Sequence, residues 1–341
     1  MRDKKMYSGL DWLKIIAALL VVANHTGPFS TYSKEADFFF SGMLSRVAVP
    51  IFFISAGFLL FRKFTEDTQY NRTLLRRYAK KIVLLYAFAI AAFIPLNLYT
   101  GYFTKKVTFY SIVRDILFDG TFYHLWFFPS LLIGVHIVYF LYNKVSRLML
   151  LLITGTLFLI GLFGDSYYGL AVQLPGVKQM YDGMFQWFDY TRNGLFFAPL
   201  PIALGAIVLK KADTTPPRPL FYGVISLLSL ALLMAEGSWL REAGYPRHES
   251  MYAAAILASY FLCRWAVSWK LKDVASFRKW RVWIYLVHPL AVVLVRGASK
   301  AANLDHLFIA NTLLHYLAVC LLSIVMSAVI VRIPILRKLT G

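Results

Sequence analysis

Ten predominantly apolar runs, each near the roughly 20 residues a helix needs to cross a bilayer, punctuate the chain. They lie at 10–30, 43–61, 82–100, 126–142, 148–164, 194–209, 220–236, 250–266, 282–299 and 309–331. The fourth, fifth and eighth are short for a full crossing. No internal repeat, low-complexity tract or soluble module separates them. This pattern predicts an all-α integral membrane protein of about ten transmembrane helices, organised as one transmembrane domain over residues 1–341. The first run starts at Leu10 and fills a span without an Ala-x-Ala-like cleavage site. It is therefore expected to be a retained helix rather than a removed signal peptide.

Composition supports this reading. Hydrophobic residues make up 59% of the chain and charged ones 16%, against roughly 25% charged in soluble domains. The two cysteines, Cys263 and Cys320, sit in apolar runs and offer neither a disulfide framework nor a metal spacing.

The net charge of +19 raises the question of a nucleic-acid partner, and its distribution answers it. A nucleic-acid-binding face would gather Lys and Arg on one soluble element. Here they fall between the apolar runs. An even number of crossings puts both termini on one side, and 24 of the 36 basic residues lie on that side, 9 on the other and 3 within spans. The positive-inside rule makes the termini cytoplasmic. The expectation is a multi-pass protein of the bacterial cytoplasmic membrane, with the lipid bilayer as its partner and no nucleic acid.

Two ionisable residues inside the first run change the picture further. In LDWLKIIAALLVVANHT, Lys14 and His25 are eleven residues apart, which returns a helix to nearly the same face about 16 Å further along. Such groups at membrane depth are functional candidates by default. Lys14 also has plainer readings, snorkelling to headgroups or pairing with Asp11 three residues earlier. His25 could equally be a packing histidine.

Other polar residues gather toward the opposite, outer side. Arg46 opens the second run, Arg192 and Asn193 the sixth, Glu236 closes the seventh, His248 and Ser250 precede the eighth, and Arg296 closes the ninth. Singly each is an interfacial anchor; together they predict a polar pocket in which a spare Arg suits a carboxylate. The outer segments 100–125, 165–193 and 236–249 are rich in aromatic residues, as an interfacial belt or a small-molecule site would be. His288 sits mid-run beside Pro289, where a kink and packing explain it as well as function does. On the terminal side, Arg72, Arg76, Arg77, Lys80 and Lys81 cluster in NRTLLRRYAKK. They serve either orientation or the phosphates of a nucleotide-type molecule. No glycine-rich phosphate loop, HExxH or GxSxG motif occurs, and no metal is expected.

Five segments, LDWLKIIAALLVVANHT, RVAVPIFFISAGFLL, YHLWFFPSLLIG, RNGLFFAPLPIALG and KWRVWIYLVHPL, resemble in content and order the membrane acyltransferases of the acyltransferase-3 type. The resemblance runs from about residue 8 to 335. It implies about ten helices and transfer of an acyl group, most simply acetyl, from cytoplasmic acyl-CoA to a hydroxyl or amine of an extracytoplasmic glycan or small molecule, as in the cell wall. The family's Arg or Lys, ten residues, then His, matches Lys14 and His25, implying His25 as catalytic base and Lys14 on the donor side. The family's Arg-x-x-Arg after the second helix meets Arg77-x-x-Lys80 here, a departure. With Arg76 these are the residues expected at the acyl-CoA. Arg46, Arg192, Asn193, Glu236, His248 and Arg296 are expected around the acceptor. RVAVPIFF, YHLW, TRNGLFFAP, RHESMY and the IYLVHP–Arg296 run also resemble the membrane half of VanT-type membrane serine racemases. In those proteins a soluble pyridoxal-phosphate racemase domain follows, and such a partner domain is absent from this sequence. The alternative expectation is accordingly a serine or amino-acid transport domain, with Arg46 or Arg296 on the substrate carboxylate.

Overall fold

The computed structural model describes residues 7–102, 108–210, 218–269, 271 and 277–340. Of the basic residues tallied above, Arg2, Lys4, Lys5, Lys105, Lys106, Lys211, Lys270 and Lys272 lie outside them. Among the described residues the secondary structure is entirely helical. Helices satisfy their backbone groups internally, as a bilayer requires.

Each apolar run is largely helical. We number the resulting elements α1 (Ser8–Thr26), α2 (Lys34–Phe61), α3 (Thr68–Tyr99), α4 (Phe127–Lys144) and α5 (Arg147–Phe163). They continue with α6 (Pro199–Leu209), α7 (Pro219–Glu242), α8 (Ala253–Val267), α9 (Phe277–Ala301) and α10 (Thr312–Ile330). Six of them, α1, α2, α3, α7, α9 and α10, are long and apolar enough to cross a membrane; α5, α6 and α8 are apolar but shorter.

The ends follow from local chemistry. Gly27 takes the left-handed conformation (φ 56°) that closes α1, its N–H bonding Ala23 O. Asp67 caps α3 by accepting from the N–H groups of Gln69 and Tyr70. The start of α8 is capped from outside. Both carboxylate oxygens of Glu236, in the last two turns of α7, accept N–H bonds at 2.8 Å from Ala253 and Ala254.

α1 lies inside the bundle, packed against α2, α8, α9 and α10. Its most apolar window is 67% buried, against 28% for α7 and α10 on the rim. α2 and α6 approach backbone to backbone. A Cβ on Gly57 would stand 2.1 Å from Ile202 O, and one on Gly205 2.0 Å from Ile54 O. Small residues at a membrane helix interface permit this approach. Cys263 and Cys320 are free and buried. Both serve as packing residues.

Candidate functional site: two cavities that meet at Tyr285

The two ends of α1 open into different cavities. One, of about 390 Å³, is lined by His25 and Asn24 of α1, Ser45 and Arg46 of α2, Tyr123, His124 and Trp126 from the segment before α4, Arg192, Ser250, Tyr285 and Arg296. The other, of about 470 Å³, is lined by Lys14, Lys63, Arg77, Lys81, Arg278 and Arg281, together with apolar side chains that include Phe52, Phe127 and Phe128. Tyr285 borders both.

The wall between them is aromatic. The Tyr285 ring lies 5.4 Å from Phe127, 6.1 Å from Phe52 and 6.2 Å from Phe128, centroid to centroid. Its hydroxyl donates to the backbone carbonyl of His124. The septum is thus pinned at one polar point and otherwise held by ring packing.

Lys14 does pair with Asp11, at 2.9 Å, and both are buried. Asp11 carries more than that pair. Arg281 Nη1 reaches its Oδ1 at 3.0 Å and Arg278 Nε its Oδ2 at 3.2 Å. One carboxylate therefore organises three basic side chains, all of which reach the cavity wall. Arg278 and Arg281 were not anticipated; they belong to α9, far from Asp11 in sequence, and only the packing of α9 on α1 brings them there. Of the basic cluster in NRTLLRRYAKK, Arg77 and Lys81 line the cavity. Arg76 and Lys80 are exposed and lie off its wall.

At the other end, His25 is half-buried and stacks on His288, ring centroids 5.2 Å apart with an 18° interplanar angle. Tyr123 packs against His25 as well, at 4.5 Å, with its ring 6.4 Å from that of His288. Pro289 explains the orientation of His288. Proline has no N–H, so the carbonyl four residues back, that of Tyr285, loses its helical partner. His288 Nδ1 lies 2.7 Å from that oxygen. A carbonyl only accepts, so Nδ1 carries the proton and Nε2 bears the lone pair. His124, 1% exposed, completes the group with its ring 5.3 Å from that of His288. The signal that could have found His124 is its place in YHLW, directly before the start of α4.

Arg46 sits on a 3₁₀ turn, Leu44–Val47, that follows a π-helical stretch, Phe38–Met43, inside α2. Such irregular turns redirect a side chain out of the helical register. Ser45, its neighbour, donates to Asn24 Oδ1 at 3.3 Å and ties α2 to α1 beside His25. Arg192 lies over the rings of Tyr190 at 4.2 Å and Trp126 at 5.2 Å. Its loop is held by carboxylates: Asp119 accepts from Asp189 N and Tyr190 N, and Arg114 bridges Asp115, Asp119 and Asp189. Arg296 is exposed at the rim.

Three of the expected acceptor residues do not line this cavity. Asn193 is buried and spends its amide on the local turn, accepting from Leu195 N and Phe196 N and donating to Tyr190 O. Glu236 caps α8 and accepts from the Tyr167 hydroxyl. His248 packs against Tyr190, ring centroids 4.4 Å apart and tilted by 42°. Burial, with Arg247 and Arg192 nearby, lowers its pKa to about 4, so it is neutral at physiological pH.

The family profile described as an acyltransferase domain, acyltransferase-3, matches residues 7–332. An amino-acid racemase of Enterococcus faecalis is 36% identical over 334 residues, covering 97% of this chain and 46% of the relative. A serine/alanine racemase of Enterococcus gallinarum is 32% identical over 325 residues, covering 93% of this chain and 45% of the relative. The chain thus spans about half the length of these curated relatives. No solved structure matches it. From the match over nearly its whole length, the chain belongs to the acyltransferase-3 family of membrane proteins.

Proposed function

We propose that this protein transfers an acyl group, most simply acetyl, from cytoplasmic acyl-CoA to a hydroxyl or amine of an acceptor on the far side of the membrane. In this reading the chain crosses the bacterial cytoplasmic membrane about ten times with both termini inside, so the Lys14 cavity faces the cytoplasm and the His25 cavity faces out. The observation that carries it is the meeting of two cavities of different chemistry at a single side chain, Tyr285. A single-substrate binding protein has no need of a second, phosphate-like site.

The donor side fits an acyl-CoA. Arg77, Lys81, Lys63 and the Asp11-organised cations offer a positive wall for phosphates, and the apolar side chains toward Phe52 and Phe127 suit the thin arm that bears the thioester. On the acceptor side, His25 takes the proton from the hydroxyl or amine as it attacks the thioester carbonyl. The new C–O or C–N bond forms, the C–S bond breaks, and His25 returns the proton to the departing thiolate. An imidazole is suited to both halves of that exchange. His288 keeps the His25 ring in place by stacking, and Tyr285 moves aside for the arm or guides it past.

The runner-up is an amino-acid transport domain of a membrane serine racemase. It is favoured by the names of the relatives, an amino-acid racemase and a serine/alanine racemase, and by the arginines of the His25 cavity. One preparation separates the two: purified protein in proteoliposomes, given acetyl-CoA and a pooled set of hydroxylated and amino acceptors, or labelled serine. CoA release that disappears in His25→Ala supports transfer. Serine uptake without CoA release, lost in Arg46→Ala, supports transport.

A further inference from the structure

Among the described residues, the His25 cavity presents three guanidinium groups and no carboxylate: Arg46, Arg192 and Arg296 line it, and no Asp or Glu does. Among the described residues, the ion pairs engage other cations, namely Lys14, Arg114, Lys178, Arg278 and Arg281. Asp165 acts electrostatically on both Arg46 and Arg192, Glu249 on Arg46 and Asp119 on Arg192, yet none of these carboxylates forms an ion pair within 4 Å with any of the three arginines. Arg46 Nε and Arg192 Nε are also buried with no hydrogen-bond partner.

Burying a charge away from water is costly unless it is paired, and a buried N–H donor without an acceptor adds to that cost. Ring stacking on Tyr190 and Trp126 offsets part of it for Arg192. No comparable contact is present for Arg46. Two neighbouring half-buried guanidiniums that lack their counter-ion are best understood if a ligand brings it.

We infer that the occupant of this cavity is a small organic oxyanion of net negative charge, its carboxylate or phosphate held by Arg46 and Arg192 and its hydroxyl or unprotonated amine turned toward His25. The volume of about 390 Å³ is that of a small-molecule site, and the Arg fork suits either oxyanion. The absence of any carboxylate on the wall has a second consequence. A zwitterion would bring an ammonium into a cationic cavity with nothing to pair it. An amino acid therefore fits with its amine neutral or acylated, and the cavity's charge drives off the proton that blocks nucleophilic attack. This deepens the transferase reading by naming the acceptor class, but the binding claim does not depend on transfer.

The test is equilibrium binding to the detergent-solubilised full chain without acyl donor, using matched anionic and neutral pairs. These are 3-hydroxybutyrate and its amide, N-acetylserine and its amide, and glycerol 3-phosphate and glycerol. At least one anion should bind about tenfold or more tightly than its neutral partner, the scale of one charge-assisted hydrogen bond. That preference should vanish in Arg46→Gln and Arg192→Gln and survive in part in Arg46→Lys. In the wild type, the same anion but not its neutral partner should slow diethyl pyrocarbonate modification of His25, read by mass spectrometry, which locates the site even if a variant folds poorly. The three pairs also distinguish carboxylate from phosphate. No anionic preference in any pair overturns the inference, as does a preference unchanged in both Gln variants or one that leaves His25 unprotected. Anion binding without CoA release would sink the transferase reading and leave this one standing. Transfer to neutral acceptors alone would do the reverse.

Discussion

The imidazole of His288 lies nearly parallel to that of His25, centroids 5.2 Å apart, with its Nδ1 on the carbonyl that Pro289 leaves open. The proline thereby fixes a histidine, and the histidine a second one. A positioning role predicts a specific pattern. His288→Phe keeps a flat ring against His25 but frees the Tyr285 carbonyl. CoA release should fall by about tenfold while the acceptor KM changes little, since His25 itself remains. His25→Ala should cost about 100-fold or more, the range of a lost general base. Equal losses in the two variants, or full activity in His25→Ala, would refute these assignments. Steady-state kinetics on both proteins decides it.

Among the described residues, Tyr285 is the only side chain found on both cavities. Tyr285→Ala should join them, so acetyl-CoA hydrolysis without acceptor should rise several-fold as water reaches the thioester. Tyr285→Phe keeps the septum and loses only the hydrogen bond to His124 O. Its uncoupled hydrolysis should stay at the wild-type level. CoA release measured with and without acceptor reads both effects.

Asp11 holds Lys14, Arg278 and Arg281 together. Asp11→Asn leaves three mutually repelling cations in a largely buried setting, and removing one partner of a buried ion pair costs on the order of 3–5 kcal/mol. Thermal unfolding in detergent should show a lower Tm, partly recovered by added polyphosphate if the cluster faces phosphates. An unchanged Tm would mean the cluster is solvated and energetically idle.

Asp165, outside the apolar runs and fully buried, accepts from Ser250 N, Met251 N and Ser166 Oγ through Oδ1, while Oδ2 has no partner. Burial raises its pKa to about 6. In the unfolded chain the group ionises near its ordinary value of 3.8, so between those values the folded state binds more protons than the unfolded one. Stability from this residue is thus present at low pH and lost as pH rises through 6, a loss of about 3 kcal/mol by pH 7. Asp165→Asn keeps the Oδ1 acceptor and removes the titration. Its Tm relative to wild type should climb between pH 4 and pH 7; a flat difference would contradict the assignment.

The sequence carried the helices well, because an apolar run in a membrane protein is close to a direct statement of structure. It carried His25, Lys14, Arg46 and Arg296 onto cavity walls for a related reason: charged residues at membrane depth have few places to go; Arg192 and Arg77, just outside the runs, were found through the polar clusters they sit in. It did not reveal that Glu236 and Asn193 are consumed by backbone capping, since a carboxylate or amide beside a helix start serves that purpose as readily as ligand binding. Nor could it pair Asp11 with Arg278 and Arg281, or put Tyr285 between two cavities, because both follow from how α9 lies on α1. Lys81, not Lys80, faces the cavity; one residue along a helix turns a side chain by about 100°, beyond what a motif match resolves.

The central claim is transfer across the bilayer, and one measurement addresses it most directly. Proteoliposomes of defined orientation receive acetyl-labelled acetyl-CoA on the Lys63–Arg77 side and a panel of hydroxylated and amino anions on the His25 side. The account predicts free CoA on the first side and labelled, acetylated anion on the second, with both lost in His25→Ala. Label that stays with CoA while an unmodified amino acid crosses the membrane would contradict it.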